Sequence, residues 1–95
     1  MNEDRLYVDF NEMLEENLAM LSQKDSKEDS SGNIIYINEG LKIKIYMDDE
    51  NEFGQKDNLL AEGIVEKNNY TLCPHVKWNC RIDENGIYNE SKKLC

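Results

Sequence analysis

Three cysteines and one histidine are the side chains of this sequence best equipped for chemistry: Cys73, His75, Cys80 and Cys95. Thiolates and an imidazole are the ligands zinc prefers, but structural zinc sites pair their ligands two to four residues apart on each of two knuckles. Cys-x-His followed by x4-Cys does not have that spacing. Cys80 is also expected to point into the core and His75 away from it, because alternate residues of a strand face opposite ways. Cys80 therefore reads as a small buried hydrophobe. A nucleophilic pair, Cys73 activated by His75, would need the base within hydrogen-bond reach and a third group to orient it. Pro74 separates the two, and no second histidine is present. The expectation is a chain without catalytic residues, metal or cofactor, with a small Cys/His-dependent enzyme as one alternative.

Carboxylates are the other chemical resource. Asp48-Asp49-Glu50-Asn51-Glu52-Phe53-Gly54 invites comparison with a calcium loop begun at Asp49. Positions five and twelve would then be Phe53 and Leu60, which bring no side-chain oxygen, so the motif fails. What remains is charge. Twenty acidic residues against eleven basic ones leave a net −9. A nucleic-acid backbone or an anionic membrane would be repelled as direct partner, and a basic protein attracted. Residues 1–22 hold six acids and one base and residues 48–66 seven acids and one base, whereas the remainder is slightly positive. These two acidic stretches form one negative surface if they meet in space.

The elements that must position these groups follow from periodicity. Val76, Trp78, Cys80 and Ile82 alternate with Lys77, Asn79 and Arg81, a period of two that predicts a half-buried strand. It carries the only tryptophan, which makes it the expected centre of a small core. Leu41–Met47 alternates in the same way, and Ile34–Ile37 is expected to pair with it through the Asn38-Glu39-Gly40 turn. Leu59–Glu66 reads as a third strand, with Gly63 marking a bulge or bend. Asn85-Gly86 is a turn signal that sends Ile87–Asn89 back onto the tryptophan strand. Upstream, Phe10, Met13, Leu14, Leu18 and Leu21 recur at helical spacing, and Asp9 with Glu12 has the form of a capping box, so a helix is predicted over 9–22. Residues 23–33 hold no apolar side chain and read as a mobile linker.

The expected fold is α+β: one N-terminal helix packed on a small, strongly curved antiparallel sheet of 4–5 strands that could close into a barrel. Residues 1–95 form one domain on this reading, with the β-rich part at 34–89 and a frayed tail at 90–95. Ninety-five residues have room for one modest core. The acidic N-terminus lacks the basic and apolar regions of a signal peptide, and no stretch approaches a membrane span. An odd cysteine count without an export signal fits reduced thiols, so the expected location is the cytoplasm.

In size, charge and the style of residues 34–89 ("NEGLKIKIYMDD", "LLAEGIVEKN", "VKWNCRIDENGI"), the chain resembles the small acidic immunity proteins of bacterial contact-dependent inhibition and other polymorphic toxin systems. That resemblance implies an inhibitor that binds a basic toxin domain, a nuclease, as a monomer in a 1:1 complex without touching nucleic acid or membrane itself. The residues expected to meet such a partner are Asp48, Asp49, Glu50, Glu52, Glu62 and Glu66, with Glu15, Glu16 and Tyr46 as a second group. Their roles would be salt bridges and hydrogen bonds to Lys and Arg, with the aromatic as anchor. Alternatives are a phage-type inhibitor that mimics nucleic-acid charge, and an oligomerising module built on the Ile87-Tyr88 edge or on the helix stripe.

Overall fold

The longest strand, Leu59–Lys67, carries three others on its two edges, and the rest of the protein is arranged about it. The computed structural model describes residues 3–92. In chain order the strands are β1 (Leu6–Tyr7), β2 (Met13–Glu15), β3 (Leu18–Ser22), β4 (Ser26–Glu28), β5 (Ile34–Tyr36), β6 (Lys42–Met47), β7 (Leu59–Lys67), β8 (Trp78–Ile82) and β9 (Tyr88–Asn89). A 3₁₀ turn, Glu90–Lys92, follows. The main sheet runs β1-β6-β7-β8-β3-β2, with β9 also on β7, and curls into a half-barrel. β4 and β5 form a separate hairpin. Every pairing is antiparallel except β1 with β6.

This is a nearly all-sheet fold, which corrects the α+β expectation: there is no α-helix among the described residues. The stretch 9–22, predicted as a helix, is a turn followed by the β2–β3 hairpin, with Glu16-Asn17 at its tip. Asp9 does cap, but it caps a single turn. Its side chain accepts from the Asn11 N–H (2.9 Å) and its carbonyl from the Glu12 N–H (3.1 Å). A fourteen-residue helix is marginal on its own, whereas this segment completes the open edge of β8, with Ala19 opposite Cys80 and Leu18 opposite Arg81. An irregularity between Met20 and Ser22 rotates Leu21 inward. The 3.6-like spacing of the apolar residues is thus the trace of two short strands, a turn and a bulge.

Residues 23–33, expected as a mobile linker, contribute β4 and a tight loop. Asp29 accepts from the N–H groups of Ser31 (2.9 Å) and Asn33 (3.0 Å), and Gly32 takes the positive φ the turn requires. The resulting hairpin is a lid on the concave side of the sheet: Ile37 is buried in the core and Ile35 packs against it. Lys27 pins it by donating to the Leu21 carbonyl (2.8 Å), and burial pulls that amine below its ordinary pKa. So β5 pairs with β4, and the predicted hairpin between Ile34–Ile37 and Leu41–Met47 does not form.

Two further expectations change. The chain after Asn85-Gly86 does not fold back on β8; β9 runs on along the same edge of β7, with Leu60 opposite Tyr88. Gly63 marks no bulge, since it stays in register with Ile43 on one side and Ile82 on the other. Of the expected frayed tail, residues 90–92 form the 3₁₀ turn, and the remainder lies outside the described residues.

Trp78 sits at the rim of the core rather than at its centre. Its indole N–H donates to Asp25 (2.9 Å), which also pairs with Lys77 (2.7 Å), so the lid's approach is tied to β8. The Lys77 ammonium, then the indole N–H, hold the Asp25 carboxyl below its ordinary 3.8. A depressed carboxyl pKa contributes stability that is complete above the ordinary value and is lost as pH falls through the lowered one. Emission of the single tryptophan is therefore expected to change with an inflection below pH 3.8, and Asp25→Ala to abolish that inflection. A transition at or above the ordinary value would show that the contact does not hold in solution.

Candidate functional site

The connection between β6 and β7 is a built finger. Asn51 organises its tip: the side-chain oxygen accepts from the Phe53 N–H (2.9 Å) and the Gln55 N–H (3.1 Å), and its amide reaches the Gln55 side chain (3.3 Å). The backbone adds Asn51 N–H to the Gln55 carbonyl (2.9 Å) and Gly54 N–H to the Asn51 carbonyl (3.0 Å), with Gly54 at positive φ. A bridge between Glu50 and Lys56, and the Asp57 N–H on the Asp49 carbonyl (2.9 Å), zip the stem. At the root, the buried Asp57 carboxylate accepts from the Ser91 N–H and hydroxyl, both at 2.9 Å, and from the Asn89 amide at 3.3 Å. The finger is thereby anchored to the 3₁₀ turn.

Along it Asp48, Asp49, Glu50 and Glu52 are exposed, and Phe53 is 77% exposed at the tip. Tyr46 lies at the base, half-buried, edge-on to Tyr7 with ring centroids 5.6 Å apart. Burial and the nearby Asp48 push its phenol upward. Phe53 did not stand out in the sequence, where it only spoiled a calcium loop. The available signal was Asn51 three residues before Gly54, a side-chain-capped turn that lifts the intervening residue into solvent.

The other expected contact residues are placed differently. Glu62, on the outward face of β7, is held by Arg5 (2.6 Å) and the Tyr88 hydroxyl (2.6 Å). Glu66 takes Nε and Nη2 of Arg81, each at 3.1 Å. Glu15 accepts from Arg81 Nη1 (2.9 Å) and from the Tyr70 hydroxyl, and those bonds, Tyr70's first, hold its carboxyl down. Two carboxylates around one guanidinium push Arg81 above its ordinary value. These three acids are internal ties across strands. Glu16 is exposed at the β2–β3 tip. Glu15 sits by Arg81, which lies opposite Ile64, whereas the finger leaves β7 at Leu59; five residues of strand put about 16 Å between those levels. Glu15 therefore lies away from the finger, whereas the start of the first acidic stretch runs beside the finger's root: the Val8 N–H donates to the Tyr46 carbonyl (3.0 Å) and the Asn11 amide reaches Met47 Sδ (3.9 Å), so the two acidic stretches meet there.

Cys80 is fully buried beside Gly63, and burial, with Asp83 and Glu66 adding to it, pushes the thiol up to about 12. Cys73 is half-buried and His75 exposed, in a loop stitched by the Asn68 amide to the carbonyls of Cys73 (2.9 Å) and Val76 (2.8 Å). No group of three potential metal ligands converges among the described residues, and Cys95 lies outside them. Nor is any helix among them long and apolar enough to cross a membrane. Comparison with protein-family models, curated proteins and solved structures finds no match for this chain.

Proposed function

We propose that this protein is an immunity-type inhibitor, cytoplasmic and monomeric, that neutralises a basic bacterial toxin domain, a nuclease, by presenting the 48–54 finger to it. The observation that carries the reading is an aromatic ring held out in water at the tip of an ordered, acid-flanked turn. Exposing Phe53 is unfavourable for the free chain. Pre-forming the turn removes the ordering entropy that binding would otherwise cost. Asp48, Asp49, Glu50 and Glu52 hold no ion pair among the described residues, so their charge is available to steer a cationic cleft and to pair within it. Glu15, Glu62 and Glu66 keep the scaffold rigid behind the finger.

The test is titration of the chain against the basic domain encoded immediately upstream, at low and high salt. Wild type is expected to bind with salt-sensitive affinity. Phe53→Ala should weaken binding about 30-fold, the loss of one hot-spot anchor. The triple variant Asp49→Ala/Glu50→Ala/Glu52→Ala should mainly slow association and flatten the salt dependence. Glu66→Gln, which loosens Arg81, should leave the affinity unchanged. Equal binding by wild type and the triple variant would sink the reading.

A further inference from the structure

The β6–β7 ladder leaves part of one strand edge without a partner. The Val65 N–H donates to the Leu41 carbonyl (2.9 Å), while the Val65 carbonyl accepts from the Gly40 N–H (2.9 Å); this fixes the phase, so that the pairs 43/63 and 45/61 exchange hydrogen bonds. In an antiparallel ladder the intervening residues aim their backbone groups at the opposite edge. For β6 these are Lys42, Lys44 and Tyr46, and the Val8 N–H donating to the Tyr46 carbonyl (3.0 Å) bears out that direction. β1 covers the edge only at Ile45 and Tyr46. Immediately upstream the chain swings away to the lid, where the Arg5 N–H donates to Ser30 Oγ (3.0 Å) and the Ser30 N–H to the Arg5 carbonyl (2.8 Å). The parallel pairing takes up at most the Lys44 carbonyl. The N–H and C=O of Lys42 and the N–H of Lys44 therefore open sideways.

They open onto a groove of about 420 Å³, walled by Leu41–Lys44 on one side and by Asp29 and Ile35 of the lid on the other, with Asp4–Leu6 closing one end. Its apolar lining is continuous with the core, through Leu6, Ile35 and Ile43. Lysine on an edge commonly guards it against pairing. A guarded edge, however, needs no second wall and no apolar floor.

We propose that this groove is a strand-addition site for an extended peptide segment of a partner protein, with apolar and acidic side chains in alternation. Backbone bonds to Lys42 and Lys44 supply the affinity, and the alternation follows from the strand's two faces. Inward residues meet Ile43, Ile35 and Leu6. Outward residues meet Lys42, which has no ion pair among the described residues, whereas Lys44 already holds Glu3 (3.1 Å). The groove's own acids are hydrogen-bonded to neutral donors of the lid and keep their charge, Asp4 on the Ser31 hydroxyl and Asp29 on the amides of Ser31 and Asn33. The site lies at the Lys42 end of β6, five residues and about 16 Å from Met47, where the finger departs, so it is independent of the function proposed above.

The probe is a blocked pentapeptide, Val-Glu-Val-Glu-Val, titrated into the full chain while its backbone amides are followed by NMR. The largest shifts and slowed exchange are expected at Lys42 and Lys44. Methylating alternate peptide nitrogens should cost about fivefold in affinity, as the one lost bond to the Lys42 carbonyl would. Lys42→Glu, an exposed substitution, should weaken this peptide about threefold and favour Val-Lys-Val-Lys-Val instead. The inference is overturned by no response at millimolar peptide, by equal binding of the methylated analogue, or by a wild-type preference for the lysine peptide. It is equally overturned if the Lys42 and Lys44 amides shift with protein concentration alone, which would make a second copy the occupant.

Discussion

Gly63→Ala is expected to destabilise the protein by about 3 kcal/mol, at the upper end of what overpacking costs, because there is no room for one methyl group. A Cβ at this position would lie 2.3 Å from the Arg81 carbonyl oxygen, 2.9 Å from the Arg81 carbonyl carbon and 2.7 Å from Cys80 Sγ. Two of the three are backbone atoms of the neighbouring strand and cannot rotate away. The sheet would have to part β7 from β8 at the point where β8 ends. For a chain of this length that is a large share of the ~5–14 kcal/mol of total stability. Urea titration of Gly63→Ala against wild type measures it. Adding Cys80→Ala removes the sulfur contact but not the carbonyl, so the double variant should recover little. Full recovery would mean the thiol alone set the limit. An unchanged midpoint in the single variant would mean the strands stand further apart than described.

Arg5→Ala is expected to cost a similar amount, about 3 kcal/mol, by the route open to buried charges. The side chain is 1% exposed. Its Nη1 donates to the carbonyls of Ile45 (3.2 Å) and Ala61 (3.1 Å) and to Glu62 (2.6 Å), while Nη2 meets Glu3 (3.1 Å) and the Tyr88 hydroxyl (3.5 Å). Burial pulls the guanidinium down, but the bonds to Glu62 and Tyr88 outweigh it, and the charge stays. Truncation removes the cation from beside the Glu62 carboxylate, leaving it the Tyr88 hydroxyl, and strips a second bond from two ladder carbonyls. Glu62→Gln keeps an acceptor in place and should cost less, about 1–2 kcal/mol. Arg5→Ala/Glu62→Gln should then be less destabilised than the sum of the two singles. Strict additivity in that cycle would show that the pair does not interact.

The three long strands were legible in the sequence to within a residue or two because their alternation is local: Lys42–Met47, Leu59–Lys67 and Trp78–Ile82 each write their own period. The α-helix at 9–22 was misread because apolar spacing over a short window fits a helix and a bulged hairpin equally well. The deciding term is an open β8 edge that lies some sixty residues away. The polar stretch 23–33 was misread for a different reason. Its order comes from Asp29 capping a turn and from Ile35 and Ile37 pulling the hairpin inward, and neither enters a hydrophobicity count. At the candidate site, the acids of 48–52 were legible as charge. The division between free carboxylates and those spent on Arg5 and Arg81 was not, since both arginines are placed by tertiary pairing. Phe53 was hidden because its exposure depends on a side-chain-capped turn, not on a pattern of apolar residues.

The pairing of Ala19 with Cys80 and of Leu6 with Ile45 also sets a timetable for synthesis. At about 5–20 residues per second, the segment that becomes β3 leaves the ribosome roughly 3–12 s before the strand that will receive it exists. During that interval Leu18 and Ala19 have only β2 of their own hairpin to pair with, because the β8 edge they will cover has not yet been made. The first pairing available between long strands is β6 with β7, so assembly is expected to begin in the middle of the chain. The amino-terminal hairpin, though made first, would then be among the last pieces to dock.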